Sequence, residues 1–219
     1  MACAASVVAG CAEKENAKLP FHQLNLDGRR PAWRPTMARQ VEVKQEVRPV
    51  PVKTERKWRY IVVHHSATDG GNAEVFDKLH RGPQFGFDEL GYHFVITNGQ
   101  GGPDGLVQTG SRWHKQKWGA HTGGTPGNEY NNYGIGICLV GNFTDHMPSA
   151  AQIDSLRRLV VRLMIAYDIP AWNVIGHRDA PNAATECPGG VFHAYLVGSF
   201  RRQIGQQVTA AKDSGSAQR

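Results

Sequence analysis

The sequence predicts an α/β fold: a single domain with a central mixed β-sheet flanked by helices, over residues 58–205. Two observations lead to this prediction. Short apolar segments alternate along the chain with longer segments whose apolar residues recur at helical spacing. The 219 residues are enough for one well-buried domain with extensions, and too few for two full domains.

The predicted strands are short and mostly apolar. Tyr60–His64 is the first of them, and its continuous apolar run indicates a strand in the interior of the sheet. Three later segments have the same character, and their sequences are GYHFVIT, GIGICLVGN and NVIGH. Because helical segments separate these strands, the sheet is expected to be mainly parallel or mixed.

Three segments predict helices. NAEVFDKLHRG places Val75, Phe76 and Leu79 on one side of a helix. SAAQIDSLRRLVVRLMIAYD gives the clearest pattern, because Ser149 is a good N-cap and an apolar stripe follows it. The stripe consists of Ile153, Leu156, Leu159, Val160, Leu163 and Met164. A last helix is predicted over residues 190–208.

The two ends of the chain predict no packed structure. Residues 12–57 contain several prolines and many charges, so they are predicted to be a disordered, basic linker. Residues 206–219 are predicted to be a disordered tail. Within residues 1–11, the letters VAGC resemble the lipobox of bacterial lipoproteins, which would lipidate Cys11 and anchor the protein to a membrane. A chance match is the alternative, because only ten residues precede Cys11 and none is Lys or Arg.

The net charge of +6 does not indicate nucleic-acid binding. Residues 1–58 carry 11 Lys and Arg against 6 Asp and Glu, whereas residues 59–205 carry 12 of each sign. The basic excess therefore lies in the extension, which is either simply solvated or weakly attracted to an anionic membrane or cell wall. No arginine-rich recognition helix or base-stacking motif is found, and no apolar run approaches the roughly 20 residues of a membrane span.

Polar side chains follow several of the predicted strands. His64 and His65 are neighbours on a strand and so point to opposite faces of the sheet. His64, Tyr92, His177 and Cys187 are expected to meet at the edge of the sheet where open α/β proteins bind ligands. Two imidazoles and a thiolate suit a catalytic zinc ion that keeps one coordination position for water. The alternative is that the histidines are hydrogen-bonded structural residues and the cysteine is part of the core.

Five motifs occur in an order that carries a family resemblance. They are VVHHSAT, GYHFVI, GAHTGG, YNNYGIGICLVGNF and GHRDAPNAATECPGG. Together they resemble the type-2 N-acetylmuramoyl-L-alanine amidases, which include the phage lysozyme-type amidases and the animal peptidoglycan recognition proteins. The resemblance covers about residues 57–205. It implies Zn²⁺ as the cofactor, with His64, His177 and Cys187 as its ligands.

The same resemblance implies roles for other residues. Tyr92 and Thr185 are implied to be catalytic, by donating hydrogen bonds to an oxyanion, and His121 is implied to line the substrate groove. His65 takes a place where family members vary, and it would face away from the metal. Cys138 stands where the cytoplasmic recycling branch of the family has a glutamate base. Asp179 either orients His177 or caps the loop, and the sequence does not decide between these two roles.

The function implied is hydrolysis of the amide bond between N-acetylmuramic acid and L-alanine in peptidoglycan. The expected partner is therefore peptidoglycan or a muropeptide, and the protein is expected to be a monomer in the bacterial cell envelope, either periplasmic or lipid-anchored. The alternative function is that of a recognition protein that binds peptidoglycan or muropeptides without cutting them. Relatives of that kind typically lack the cysteine ligand, which is present here as Cys187.

Overall fold

A five-stranded sheet organises residues 56–216, which are the part of the chain that the computed structural model describes. The spatial order of the strands is β3-β2-β4-β1-β5. Their bounds are β1 Tyr60–His65, β2 Phe94–Ile96, β3 Val107–Thr109, β4 Gly134–Leu139 and β5 Val174–Gly176. β3 alone pairs in the antiparallel sense, with β2, while the other neighbours pair in parallel. The prediction of a mixed sheet in an α/β fold is confirmed.

Six α-helices accompany the sheet in this part of the chain. They are α1 Ala73–Arg81, α2 Ser111–His114, α3 Glu129–Asn132, α4 Ala150–Tyr167, α5 Gly190–Tyr195 and α6 Arg201–Ser216. A π-helical segment joins α5 to α6, and a 3₁₀ turn at His177–Asp179 directly follows β5. Helix α4 begins as predicted. The Ser149 side chain accepts a hydrogen bond from the Gln152 N–H, and the Gln152 side-chain oxygen accepts one from the Ser149 N–H.

The two faces of the sheet have different roles. On one face, Ile61 and Val63 of β1 belong to the main core, in which the apolar stripe of α4 also lies. On the other face, Cys138 of β4 packs with Phe76 of α1, and His64 is the register partner of Cys138 on β1. Side-chain alternation along β1 therefore directs His64 away from the main core.

Helix α1 lies where it was predicted, but its buried face differs from the predicted one. Phe76 and His80 are buried, whereas Val75 and Leu79 are 50% and 45% exposed. The imidazole of His80 is held inside because its Nδ1 accepts a hydrogen bond from the Gly91 N–H at 2.9 Å. The apolar pattern predicted that Val75 and Leu79 would be buried. Instead, His80 is buried, because it has a hydrogen-bond partner in the interior.

The prediction of a disordered tail from residue 206 is wrong for most of that segment. Helix α6 continues to Ser216, and it is anchored to the domain beyond residue 206. Val208 is only 9% exposed and belongs to the main core. Farther along, Lys212 Nζ forms an ion pair with Asp168 Oδ1 at 2.7 Å. These tertiary contacts stabilise a helix that its polar composition does not indicate.

Residues 1–55 and 217–219 lie outside the described part of the chain. The predicted linker up to residue 55, the lipobox-like letters and Cys11 all fall there, so they stay predictions. Among the described residues, no helix is both long enough and apolar enough to cross a membrane.

Candidate metal centre

The three predicted metal ligands lie together at one edge of the sheet. His64 is near the end of β1, His177 opens the 3₁₀ turn after β5, and Cys187 lies in the loop before α5. Because β1 and β5 are parallel neighbours, their carboxyl ends meet at the same edge. One donor atom from each of the three residues lies within 4.8 Å of the other two.

The spacing of these donor atoms fits a zinc ion. Cys187 Sγ lies 3.6 Å from His64 Nδ1, and the ring centroids of His64 and His177 are 4.7 Å apart. Zn–S bonds of about 2.3 Å and Zn–N bonds of about 2.0 Å, at the tetrahedral angle, separate sulfur from nitrogen by about 3.6 Å. Two imidazoles and one thiolate also match the ligand number of a catalytic site with an open position.

Burial sets the protonation states of the three predicted ligands. It lowers the pKa of His177 to about 4, with a smaller contribution from His65, and it lowers the pKa of His64 well below its usual value. Both imidazoles are therefore neutral near pH 7 and can offer a lone pair. Burial raises the pKa of the Cys187 thiol to about 12, so a metal ion must displace that proton when it binds.

His65 contacts the centre through its backbone rather than its side chain. Its backbone N–H donates to Cys187 Sγ at 3.4 Å, and this bond opposes the rise in the pKa of the thiol. Its imidazole Nδ1 accepts from the Phe143 N–H at 3.3 Å, on the side of the main core. The side chain of His64 thus lies in the candidate metal centre, whereas the side chain of His65 bonds to the backbone at Phe143.

Tyr92 precedes β2 and lies against His64, with 5.2 Å between the ring centroids. Burial, and then the neighbouring Cys138 and Cys187 thiols, raise the pKa of its hydroxyl well above the usual value. The hydroxyl therefore stays protonated and can donate. The hydroxyl forms a hydrogen bond with the side chain of Cys138. Burial raises the pKa of the Cys138 thiol, so the thiol stays protonated. It therefore cannot act as a general base in the way that a carboxylate does.

Thr185 is held by the backbone of the ligand loop. Its Oγ1 accepts a hydrogen bond from the Cys187 N–H at 3.1 Å. Because this bond uses a lone pair of the hydroxyl, the Thr185 proton can be directed to another acceptor. The side chain is partly buried, and the catalytic role implied for Thr185 stays a prediction.

His121 lies against His64, outside the group formed by His64, His177 and Cys187. It is 7% exposed, and its Nδ1 lies 3.1 Å from His64 Nε2. The substrate contact predicted for His121 is not tested by this position and stays a prediction. The contact between His121 and His64 was missed from the sequence, because no spacing rule links a loop residue to a strand residue 57 positions away.

Asp179 caps a turn and does not bond to His177. Its Oδ2 accepts from the Gly176 N–H at 2.9 Å, and its Oδ1 lies 2.7 Å from His193 Nε2. Arg201 adds an ion pair at 3.7 Å. Of the two roles left open by the sequence, these contacts favour the cap, which fixes the 3₁₀ turn that carries His177.

Sequence comparison gives this centre a family context. The sequence pattern of the N-acetylmuramoyl-L-alanine amidases matches residues 54–190. An N-acetylmuramoyl-L-alanine amidase of Sus scrofa is 32% identical over 154 residues, which make up 64% of this chain and 23% of that protein. Peptidoglycan-recognition protein 1 of Holotrichia diomphalia is 29% identical over 139 residues, which cover 62% of this chain and 66% of that protein. The chain thus spans less than a quarter of the Sus scrofa relative's length.

Solved structures agree with the sequence match. N-acetylmuramoyl-L-alanine amidase LysC from Clostridium intestinale aligns with a TM-score of 0.54 at 27% identity, over 70% of this chain and 87% of that one. Drosophila PGRP-LB aligns with a TM-score of 0.51 at 25% identity, over 66% of this chain and 82% of that one. The family resemblance predicted from the five motifs is confirmed, and the chain belongs to the N-acetylmuramoyl-L-alanine amidase family.

Proposed function

We propose that the protein is a zinc-dependent amidase that hydrolyses the bond between N-acetylmuramic acid and L-alanine in peptidoglycan. The observation that carries this proposal is the convergence of His64, His177 and Cys187, in a chain of the amidase family, with donor atoms within 4.8 Å of one another. Relatives named N-acetylmuramoyl-L-alanine amidase support the choice of bond.

The side chains around the centre have distinct roles in this reaction. When bound by the three ligands, Zn²⁺ supplies Lewis-acid catalysis and lowers the pKa of water to about 7. Tyr92 donates its hydroxyl proton as a hydrogen bond to the oxygen of the scissile amide, where negative charge develops. Thr185 donates to the same oxygen, more weakly than a charged side chain would. The neutral imidazoles of His64 and His177 would each offer a lone pair to the metal.

A recognition protein that only binds peptidoglycan is the rival function. Several relatives are named peptidoglycan-recognition proteins, so the family name alone does not separate binding from hydrolysis. Cys187 favours the enzyme, because a thiol packed 3.6 Å from His64 Nδ1 completes a three-ligand set. A protein that needed only a binding groove would have no use for that set.

Metal content and hydrolysis separate the two functions. The purified protein is expected to contain stoichiometric zinc, to clear a suspension of purified cell wall, and to stop doing so after a chelator removes the metal. Added zinc should restore the rate. Mass spectrometry of the products from polymeric wall, soluble muropeptides and anhydro-muropeptides identifies the preferred substrate form. Zinc-loaded protein that binds cell wall and releases no peptide would contradict the amidase and support the recognition protein.

The location in the cell is a separate proposal. The substrate lies in the bacterial envelope, and the lipobox-like VAGC would tether the domain there through a lipidated Cys11. Expression of the full chain with labelled palmitate should give a labelled protein, and Cys11→Ala should give none. An unlabelled wild-type protein would remove the lipid anchor from the proposal. Gel filtration with light scattering tests the expected monomer.

A further inference from the structure

His121 occupies a place built for its ring. Its backbone N–H donates to Asn131 Oδ1 at 2.8 Å, which fixes the loop that carries it. A Cβ atom on Gly119 or on Gly136 would lie 2.3 or 2.4 Å from the His121 ring, so only glycine at these positions leaves room for the imidazole. Gly119 of the GAHTGG motif and Asn131 and Gly136 of the YNNYGIG motif therefore all position the His121 ring.

The hydrogen bonds of His121 have a fixed direction. The Gly134 carbonyl, 3.3 Å from His121 Nε2, can only accept, so the hydrogen of the neutral imidazole is on Nε2. His121 Nδ1 is then a bare acceptor, and it lies 3.1 Å from His64 Nε2. His64 must donate from Nε2 to make this bond. The remaining nitrogen of His64, Nδ1, therefore carries a lone pair and faces Cys187 Sγ at 3.6 Å.

We propose that His121 is a positioning residue for the metal centre: it holds His64 in the tautomer, and at the ring angle, that present the Nδ1 lone pair to the metal. This inference rests on the proposed zinc site. In the opposite tautomer, His64 would carry a hydrogen on Nδ1, directed at the ligand position, and could not coordinate there. An outer hydrogen bond of this kind fixes the tautomer of a metal-binding histidine and raises its affinity for the metal.

The tautomer can be observed directly in the zinc-free protein. Long-range ¹H–¹⁵N correlation spectra of ¹⁵N-histidine-labelled protein distinguish an Nε2–H imidazole from an Nδ1–H imidazole. The wild type is expected to show His64 as the Nε2–H form and His121 as the Nε2–H form. A wild-type spectrum with the His64 hydrogen on Nδ1 would overturn the proposal. This measurement needs neither a metal ion nor a variant that folds.

Two isosteric variants test the consequence for the metal. His121→Asn keeps a carbonyl oxygen near the place of Nδ1, whereas His121→Leu has the same shape and no acceptor. Both lose the bond to the Gly134 carbonyl, so their difference in zinc affinity reports the effect of a polar side chain with an acceptor facing His64 Nε2. Competition with a chromophoric chelator should give a zinc affinity about 10–100-fold weaker for His121→Leu than for wild type, with His121→Asn recovering most of the loss. Equal affinities for Asn and Leu would refute the positioning role.

These measurements separate the inference from the proposed function. If the wild type binds zinc tightly and His121→Leu binds it equally well, the positioning role is wrong and the metal site stands. If the wild type binds no zinc, the proposed function is wrong and the positioning role falls with it. Thermal unfolding of the zinc-free variants serves as a control, because a purely structural role would lower stability in both variants without separating their zinc affinities.

Discussion

The thiol of Cys187 is the one sulfur in the ligand group, and a second thiol, Cys138, provides a matched control on the same face of the sheet. Cys187→Ser should lose most of its zinc and its hydrolytic activity, because a serine hydroxyl is not deprotonated by the metal as a thiol is. Cys138→Ser should keep stoichiometric zinc by elemental analysis. A Cys187→Ser protein with a full complement of zinc would show that the thiol is not a ligand.

The hydroxyl of Tyr92 is predicted to act on the reaction and not on the metal. Tyr92→Phe keeps the ring that packs against His64 and removes the donor. We expect kcat to fall by about 10²–10³, the usual effect of losing one oxyanion donor, with zinc content unchanged. Tyr133→Phe is the control, since the Tyr133 ring stacks under Arg59 outside the ligand group. Release of peptide by Tyr92→Phe at the wild-type rate would exclude the role.

The sequence and its family resemblance were sufficient to predict that the candidate ligands His64, His177 and Cys187 lie together, because ligand chemistry restricts the residue types that can serve. They were insufficient for the contacts that surround these ligands. The bond from the His65 N–H to Cys187 Sγ and the bond between His64 and His121 depend on how distant segments pack. The His65 N–H in particular could not be recognised from the residue type, because every residue except proline has the same backbone N–H.

Helices and strands were predictable to the extent that they bury a regular apolar pattern. Helix α4 has both a capping box and a buried stripe, and it matches its prediction within a residue at each end. Strand β3, with the letters VQT, is three residues long and exposed or half-buried, so it had no pattern to recognise. Helix α6 was cut short in the prediction because its last turns are polar and are stabilised by tertiary contacts.

The C-terminal part of α6 is expected to contribute to stability, in contrast to a disordered tail. Val208 is buried in the main core, so Val208→Ala should lower the free energy of unfolding by about 1.5 kcal/mol for the two carbon atoms removed from the core. Gln207→Ala, at an exposed neighbouring position, should be close to neutral. Urea unfolding followed by circular dichroism measures both. Identical midpoints for the two variants would mean that the helix does not pack here.

The domain as a whole carries several buried, neutral histidines, and this makes its stability sensitive to acid. His93 is fully buried, and burial lowers its pKa to about 4, from a value near 6.5 in the unfolded chain. Below pH 6.5 the unfolded state therefore binds a proton that the folded state does not. The stabilisation from the neutral side chain is complete above pH 6.5 and is lost as the pH falls toward 4.

Zinc-free protein should accordingly unfold more easily at pH 5 than at pH 7. The contribution of His93 alone to this difference is about 2 kcal/mol. Urea unfolding at a series of pH values measures it. His93→Gln should reduce the dependence on pH, whereas Gln207→Ala, at an exposed position without a titratable group, should leave it unchanged. A His93→Gln protein with the full wild-type slope between pH 7 and pH 5 would show that His93 is not protonated on unfolding in this range.

The backbone bond from His65 to Cys187 Sγ has a consequence for which amino acids the chain tolerates. Any residue except proline supplies the same N–H, so this bond to the sulfur places no demand on the side chain at position 65. If His64 binds the metal as proposed, position 64 should accept only residues that can coordinate zinc. In a saturation library selected for zinc retention, we expect His65 to be replaceable by most residues with proline excluded, and His64 to be nearly invariant. Two identical letters side by side would then differ almost completely in their substitution profiles.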